Sequence, residues 1–411
     1  MAWAIALGTC AVLIAQHWGA WSTDFTALYF AGHFWADGAN DQIYAAPPLV
    51  ISPEMPPDWS AALSAAGHAD EQTYPFIYPP WVAAAAAPLA RLDPQVAMNA
   101  ALVVNAALVV GAAFLGWCIM GRPISLTQWM AAAAILAILG LPAQSALALG
   151  QTQILVVFLT LLAIERLRAG ASVAAGMALA AAAALKLTPA AFVLVFLADR
   201  NLRATAAFLI SGAAIAALSV LVMGWDLHAT YLERLATISG HLYIAFISWS
   251  LEPALYQLTD ALAGTAPLHT GREYHYAKPG WISALSKIGF LLALVALWCA
   301  TRTLPRPRRI AVQTFGLALA IPLFGPLGWA HYYLTALALL PGLVSGRASL
   351  AIVAAVALAI ATPLHIVLID PPRLVFPQIF VGVPLFLSLF VALVLSQRFA
   401  HEATNSAPQP G

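Results

Sequence analysis

Apolar residues fill most of the chain in long runs, broken by short polar stretches. The runs cover 2–20, 95–120, 126–142, 152–165, 172–186, 188–198, 204–223, 282–301, 310–327, 331–345, 348–369 and 375–397. A helix needs about 20 residues to cross a bilayer, so several runs are short. Two of them, 172–186 and 188–198, read as a broken or re-entrant pair meeting at Lys186-Leu-Thr-Pro189. Residues 80–90 are too short to cross and are expected to lie in the membrane interface. The pattern predicts an all-α polytopic membrane protein, a bundle of about 12 transmembrane or re-entrant helices.

Composition supports this. Of the 411 residues, 62% are hydrophobic and 9% are charged, where soluble domains carry about 25% charged residues. Cys10, Cys118 and Cys299 all fall inside apolar runs, which argues against a disulfide framework or a cysteine metal cluster. No Lys or Arg precedes the first run, so residues 1–20 are expected to be a retained helix and not a cleaved leader. Residues 1–400 are expected to form a single domain, followed by a disordered cytoplasmic tail, 401–411.

The placement of charge says more than its sum of +1. Arg122, Arg166, Arg168, Arg200, Arg203, Arg302, Arg306, Arg308, Arg309, Arg347 and Arg398 all fall at one set of span ends. The positive-inside rule then puts both termini in the cytoplasm. The opposite side holds most of the acids, among them Asp24, Glu54, Glu252 and Asp370. Seven acids precede Arg91, the first basic residue of the chain. Two long external loops follow from this topology, about 21–94 and 224–281. Both are rich in Trp, Tyr, Pro and His, which suits ordered structure, and 229–235 could form a short amphipathic helix.

Ionisable and polar residues recur at the external span borders. Asp24 follows the first run, Tyr78-Pro-Pro80 precedes the second, Gly150-Gln-Thr-Gln153 opens the fourth, and Gly328-Trp-Ala-His-Tyr-Tyr333 opens the tenth. In a bundle these tips, with Lys186, could converge on one cavity. Asp24 is either a helix cap, with Ser22 and Thr23 as rivals, or a functional carboxylate at a membrane border. Lys186 interrupts an apolar stretch and breaks the positive-inside pattern; it is either a snorkelling lysine or a binder of phosphate or carboxylate. His331 could donate to an anion or carry a proton, or belong to an aromatic cluster with Trp329, Tyr332 and Tyr333. Gln151 and Gln153 could hydrogen-bond a polar ligand or join helices. His269, Glu273 and His275 match no strong metal spacing, and His17, His33, His68 and His228 have no informative partners. No nucleotide-binding loop or nucleic-acid patch is present, so no metal, cofactor or nucleic acid is expected.

Taken together in this order, Asp24, Tyr78-Pro-Pro80, Gly150-Gln-Thr-Gln153, Lys186-Leu-Thr-Pro189 and Trp329-Ala-His331 resemble glycosyltransferase family 87, within the multi-spanning GT-C superfamily. Two motifs depart from the family pattern: Gln153 replaces an Asn, and Ser248-Trp-Ser250 replaces an Asn-Gln-Ser tract. The resemblance implies a GT-C-like bundle that transfers a hexose, with mannose as the family's sugar, from a polyprenyl-phosphate donor to a lipid or glycan acceptor. It implies Asp24 as the catalytic base; a departing phosphate needs cationic donors, for which Lys186 and His331 are the candidates, with Tyr78, Gln151, Gln153 and Trp329 as candidate substrate contacts. The lipid-linked sugar is then a co-substrate, and membrane lipids surround a multi-pass protein of the plasma (inner) membrane with its site on the external, periplasmic face. A transporter or flippase of a lipid-linked or small polar substrate is the alternative, since broken helices and buried charge serve it equally.

Overall fold

The computed structural model describes residues 1–47, 55–245, 247–263, 274–343, 347–363 and 376–405. Glu54, His269, Glu273, Asp370 and tail residues 406–411 lie outside the described residues.

Most of the described residues are helical. Helices α1 (Ala2–His17), α2 (Thr23–Ala36), α3 (Pro57–Ala65) and α4 (Pro80–Ala86) lead into the long α5 (Pro94–Ile119). Next come α6 (Leu126–Leu139), α7 (Leu141–Ala148), α8 (Gln153–Arg168), α9 (Ser172–Leu185), α10 (Val193–Ala198), α11 (Leu202–Met223) and α12 (Trp225–Ser239). The last six are α13 (Leu251–Ala263), α14 (Gly280–Thr301), α15 (Arg306–Phe324), α16 (Leu334–Leu339), α17 (Arg347–Ala359) and α18 (Phe376–Asn405). The last of these carries helix into 401–405, part of the expected tail. Among the described residues one antiparallel strand pair, β1 (His241–Ile244) with β2 (Tyr274–Ala277), flanks α13 in sequence and pairs His241 with Ala277 and Ile244 with Tyr274.

Among the described residues, α5, α11 and α14 are long and apolar enough to cross a membrane unaided. They differ in surroundings. Most of α11 lies bare, with Leu209, Ile210, Leu218, Leu221 and Val222 exposed. A helix of that kind has its lowest free energy against lipid. By contrast α15 is enclosed, with nearly every residue from Ile310 to Leu323 buried, and forms the axis of the bundle. Among the described residues α1, α6, α9 and the stretch Thr188–Ala198 are apolar but shorter, at 10–17 residues.

Arg168, Arg306 and Arg309 gather at one end of this bundle. Arg306 reaches Asp199 at 2.8 Å and Arg309 reaches it at 3.1 Å, tying the start of α15 to the end of α10. From there α9 rises to Lys186, and the chain returns through the 3-10 turn Thr188–Phe192 and α10. The tip at Lys186 is therefore a real break in the helix, with extended backbone (φ −150°, ψ 130°) at that residue.

Segment 21–94 is a packed unit at the other end. Its core joins Phe30 and Phe34 of α2 to Trp59 of α3, Tyr44, Phe76 and Tyr78. Helices α2 and α4 are in direct backbone contact at Gly32, where a Cβ would stand 2.7 Å from the Ala86 carbonyl carbon. The amphipathic helix expected near 229–235 is longer than its signal, spanning all of α12. It docks on segment 21–94 through the buried Arg234, whose guanidinium donates to the carbonyls of Tyr44 and Ala46.

Candidate active site

The site begins with how α2 starts. Its N-cap is Ser22, and no side chain caps it. The Leu149 carbonyl, just past the end of α7, accepts from the amides of Asp24 (3.2 Å) and Phe25 (3.1 Å) instead. This seats the start of α2 on the 149–151 turn. Gly150 makes that seating possible: its φ is +64°, and a Cβ there would lie 2.6 Å from the Phe25 Cβ. Only glycine meets both demands without strain. The Asp24 carboxylate is thereby released from capping and turned towards Gln151.

Gln151 is the hub of the site. Its Nε2 donates to Asp24 Oδ2 at 2.8 Å. Its Oε1 accepts from Lys186 Nζ at 3.3 Å and from Tyr78 Oη at 3.4 Å. The amide thus stands between a carboxylate and an ammonium group and satisfies one of each. Lys186 Nζ also sits 4.6 Å from the Tyr332 ring centre and 5.8 Å from that of Tyr78. Aromatic faces of this kind stabilise a desolvated cation. Burial raises the Asp24 carboxyl to about 6, against the opposing pull of the Lys186 charge and the Gln151 hydrogen bond. A carboxyl in that range exchanges protons near neutral pH, as a general base must.

His331 completes the arrangement. It lies in the 3-10 turn Ala330–Tyr333, 2% exposed, and neither ring nitrogen has a hydrogen-bond partner. Its ring stands edge-on to Tyr332 at 4.8 Å. The turn is held against the second long loop by Trp249 N–H to Gly328 (2.7 Å) and Ala330 N–H to Ile247 (2.7 Å). A buried imidazole with two idle nitrogens costs free energy unless something else supplies the partner.

Six of the seven expected site residues, Asp24, Tyr78, Gln151, Lys186, Trp329 and His331, line one cavity of about 380 Å³. Gln153 does not. It opens α8 and faces a neighbouring cavity of about 410 Å³. Val156, Phe192, Leu235 and Ile321 line much of that second cavity, with Thr160, Tyr231, Ser239 and Thr335 among them, and no carboxylate or imidazole. Lys186, Ile77 and Tyr332 belong to both and form the seam between them. His17, Gln144 and Ser145 line the polar cavity without having been expected there. His17 Nε2 bonds Gln144 Oε1 at 3.0 Å, joining the last residue of α1 to α7. Its only sequence signal was position: it ends α1 seven residues before Asp24, so both helix ends face the same space. Among the described residues no group of three His, Cys, Asp or Glu side chains is placed to hold a metal.

A helical membrane protein with a carboxylate, an ammonium and an imidazole lining one cavity has the makings of a membrane enzyme. The sequence profile of glycosyltransferase family 87 matches residues 76–312, more than half of the chain, and the protein belongs to that family. It is therefore a membrane glycosyltransferase, an enzyme that transfers sugar. The matched stretch contains Tyr78, Gln151, Gln153 and Lys186, while Asp24, Trp329 and His331 lie outside it. A comparison with curated proteins returned no match.

Proposed function

We propose that the protein transfers a hexose, mannose being the family expectation, from a polyprenyl-phosphate donor to a hydroxyl of a lipid or glycan acceptor. Asp24 takes the proton of that hydroxyl. The acceptor oxygen forms a bond to the anomeric carbon while the bond from that carbon to the phosphate oxygen breaks on the opposite side. The product anomer is inverted, and polyprenyl phosphate leaves. The negative charge developing on the phosphate falls to Lys186 and to a ring N–H of His331. Fixed donors aimed at such charge in a dry site contribute about 2.7–4 kcal/mol each. Tyr78, Gln151 and Trp329 border the sugar; Gln153 borders the lipid.

The observation that carries this reading is the seam at Lys186. A donor of this class is a sugar, a phosphate and a hydrocarbon chain in that order. The cavity with Asp24, Gln151 and His331, the ammonium, and the cavity with Val156, Phe192, Leu235 and Ile321 stand in the same order. The apolar cavity is bordered by Leu187 and Thr188, both on the outer surface, which suits entry of a chain from lipid. The distribution of Arg supports an external, periplasmic site and cytoplasmic termini in a plasma (inner) membrane bundle of GT-C type. The test is to reconstitute the purified protein in vesicles with labelled polyprenyl-phosphate hexoses and candidate acceptors. Release of polyprenyl phosphate that depends on acceptor supports the reading. Movement of intact donor across the bilayer without release would replace it with the flippase.

A further inference from the structure

A third cavity, of about 700 Å³, lies between α5, α8, α15 and α18. It is remote from the sugar site. Helix α8 runs from Gln153 on the apolar cavity to Arg168 on this one, and its 16 residues measure about 24 Å at 1.5 Å per residue. Helix α15 has the same reach, with Pro322 on the apolar cavity and Arg308 on this one. The cavity therefore opens at the basic end of the bundle.

Its lining has two characters. Phe315, Leu389 and Leu393 form an apolar wall, and Arg308, Ser396 and Gln397 a polar rim. Most arginines nearby are spent within the protein. Arg306 and Arg309 pair with Asp199, and Arg166 pairs with Glu165. Arg168 donates to the carbonyls of Cys118 and Ile119 and so closes the end of α5. Arg308 differs. It is exposed, its Nε donates to the neutral Gln397 Oε1 at 3.1 Å, and among the described residues no carboxylate lies within ion-pair distance of it. An uncompensated guanidinium fork thus stands at the mouth of a chamber with hydrocarbon-compatible walls.

Guanidinium forks match phosphate oxygens two at a time, and basic pockets between membrane helices select anionic lipid headgroups. We propose that this cavity binds an anionic glycerophospholipid. Arg308, steadied by Gln397, holds the phosphate, and the upper part of one acyl chain lies on Phe315, Leu389 and Leu393. The site is independent of the sugar chemistry, because no residue of it touches either cavity at Lys186.

The test is native mass spectrometry of the full-length protein in detergent with equal amounts of phosphatidylglycerol and phosphatidylcholine. The wild type should retain one phosphatidylglycerol about fivefold more than phosphatidylcholine, the preference expected of one basic group. Arg308→Gln should abolish the preference and Arg308→Lys should keep most of it. Ala392→Trp, which puts an indole into the chamber, should lower retention of both lipids. Equal melting temperatures guard against a folding defect. Equal retention of the two lipids by the wild type, or an unchanged preference in Arg308→Gln, would overturn the proposal. So would displacement by millimolar inorganic phosphate or stronger retention of a polyprenyl phosphate, since either would assign the site to another ligand.

Discussion

The two cavities that meet at Lys186 are nearly equal in volume, about 380 and 410 Å³, and differ in the ionisable groups they gather: the carboxylate and the imidazoles line only the smaller one. One gathers Asp24, Gln151, His17, Gln144 and His331; the other is built from α8, α12 and α15 with Val156, Leu235 and Ile321. Neither alone explains why a lysine interrupts an apolar helix. Together they do under the proposed function: an amphipathic donor would have its anion fixed where the sugar and the chain part. The ammonium is held at that border by the Gln151 carbonyl oxygen and the faces of two tyrosines.

The contrast can be broken from the polar side most severely. Asp24→Asn keeps the hydrogen-bonding shape and removes the base, so transfer should fall about 10²–10⁴-fold, with donor binding measured by fluorescence titration unchanged. Removing the charge at the seam comes next. Lys186→Met should cost about 10²–10³-fold in kcat/KM, with much of the loss recovered by Lys186→Arg. On the apolar side, Ala236→Trp places an indole against the chain path. It should raise KM about tenfold for a long-chain donor while leaving a short-chain analogue near wild type, a split of about 1.4 kcal/mol.

Acidity sharpens the same contrast with a smaller effect. Asp24 must be ionised to accept a proton, and burial raises its carboxyl to about 6. In the pH profile, kcat/KM should therefore fall as pH drops through about 6 and level off above it. Gln151→Leu removes a donor that favours the carboxylate, so the falling limb should move to higher pH. Gly150→Ala tests the seat of the carboxylate. Strain at φ +64° and the clash with Phe25 should lower stability by about 1–3 kcal/mol, read as a lower melting temperature.

The broken pair at Lys186 and the border carboxylate Asp24 were legible because each violates a strong membrane rule: a charge interrupting or bordering an apolar run. The separate helix α7 was not, because the run 126–142 reads as one span. Gly140, extended at ψ 123°, ends α6, and Pro142 starts α7 within its first turn. That Gly-x-Pro carried the signal, and with it the approach of Gln144 to His17. Gln151 and Gln153 looked like one motif. They face different cavities because residues two apart at a helix start do not share a side, and the turn at Gly150 adds to the divergence. The packing of segment 21–94 was legible only as composition, since its order comes from aromatic contacts between α2, α3 and residues 74–78 that no local periodicity encodes.

Transfer across the seam, with Asp24 as base, is tested most directly by a single-turnover reaction in reconstituted vesicles. Labelled polyprenyl-phosphate hexose is mixed with acceptor, and the released polyprenyl phosphate is followed for wild type and Asp24→Asn at equal donor occupancy. The wild type should release it in step with glycosylated product, and Asp24→Asn should bind the donor normally and release it at least about 100-fold more slowly. Release by Asp24→Asn at the wild-type rate would contradict the account.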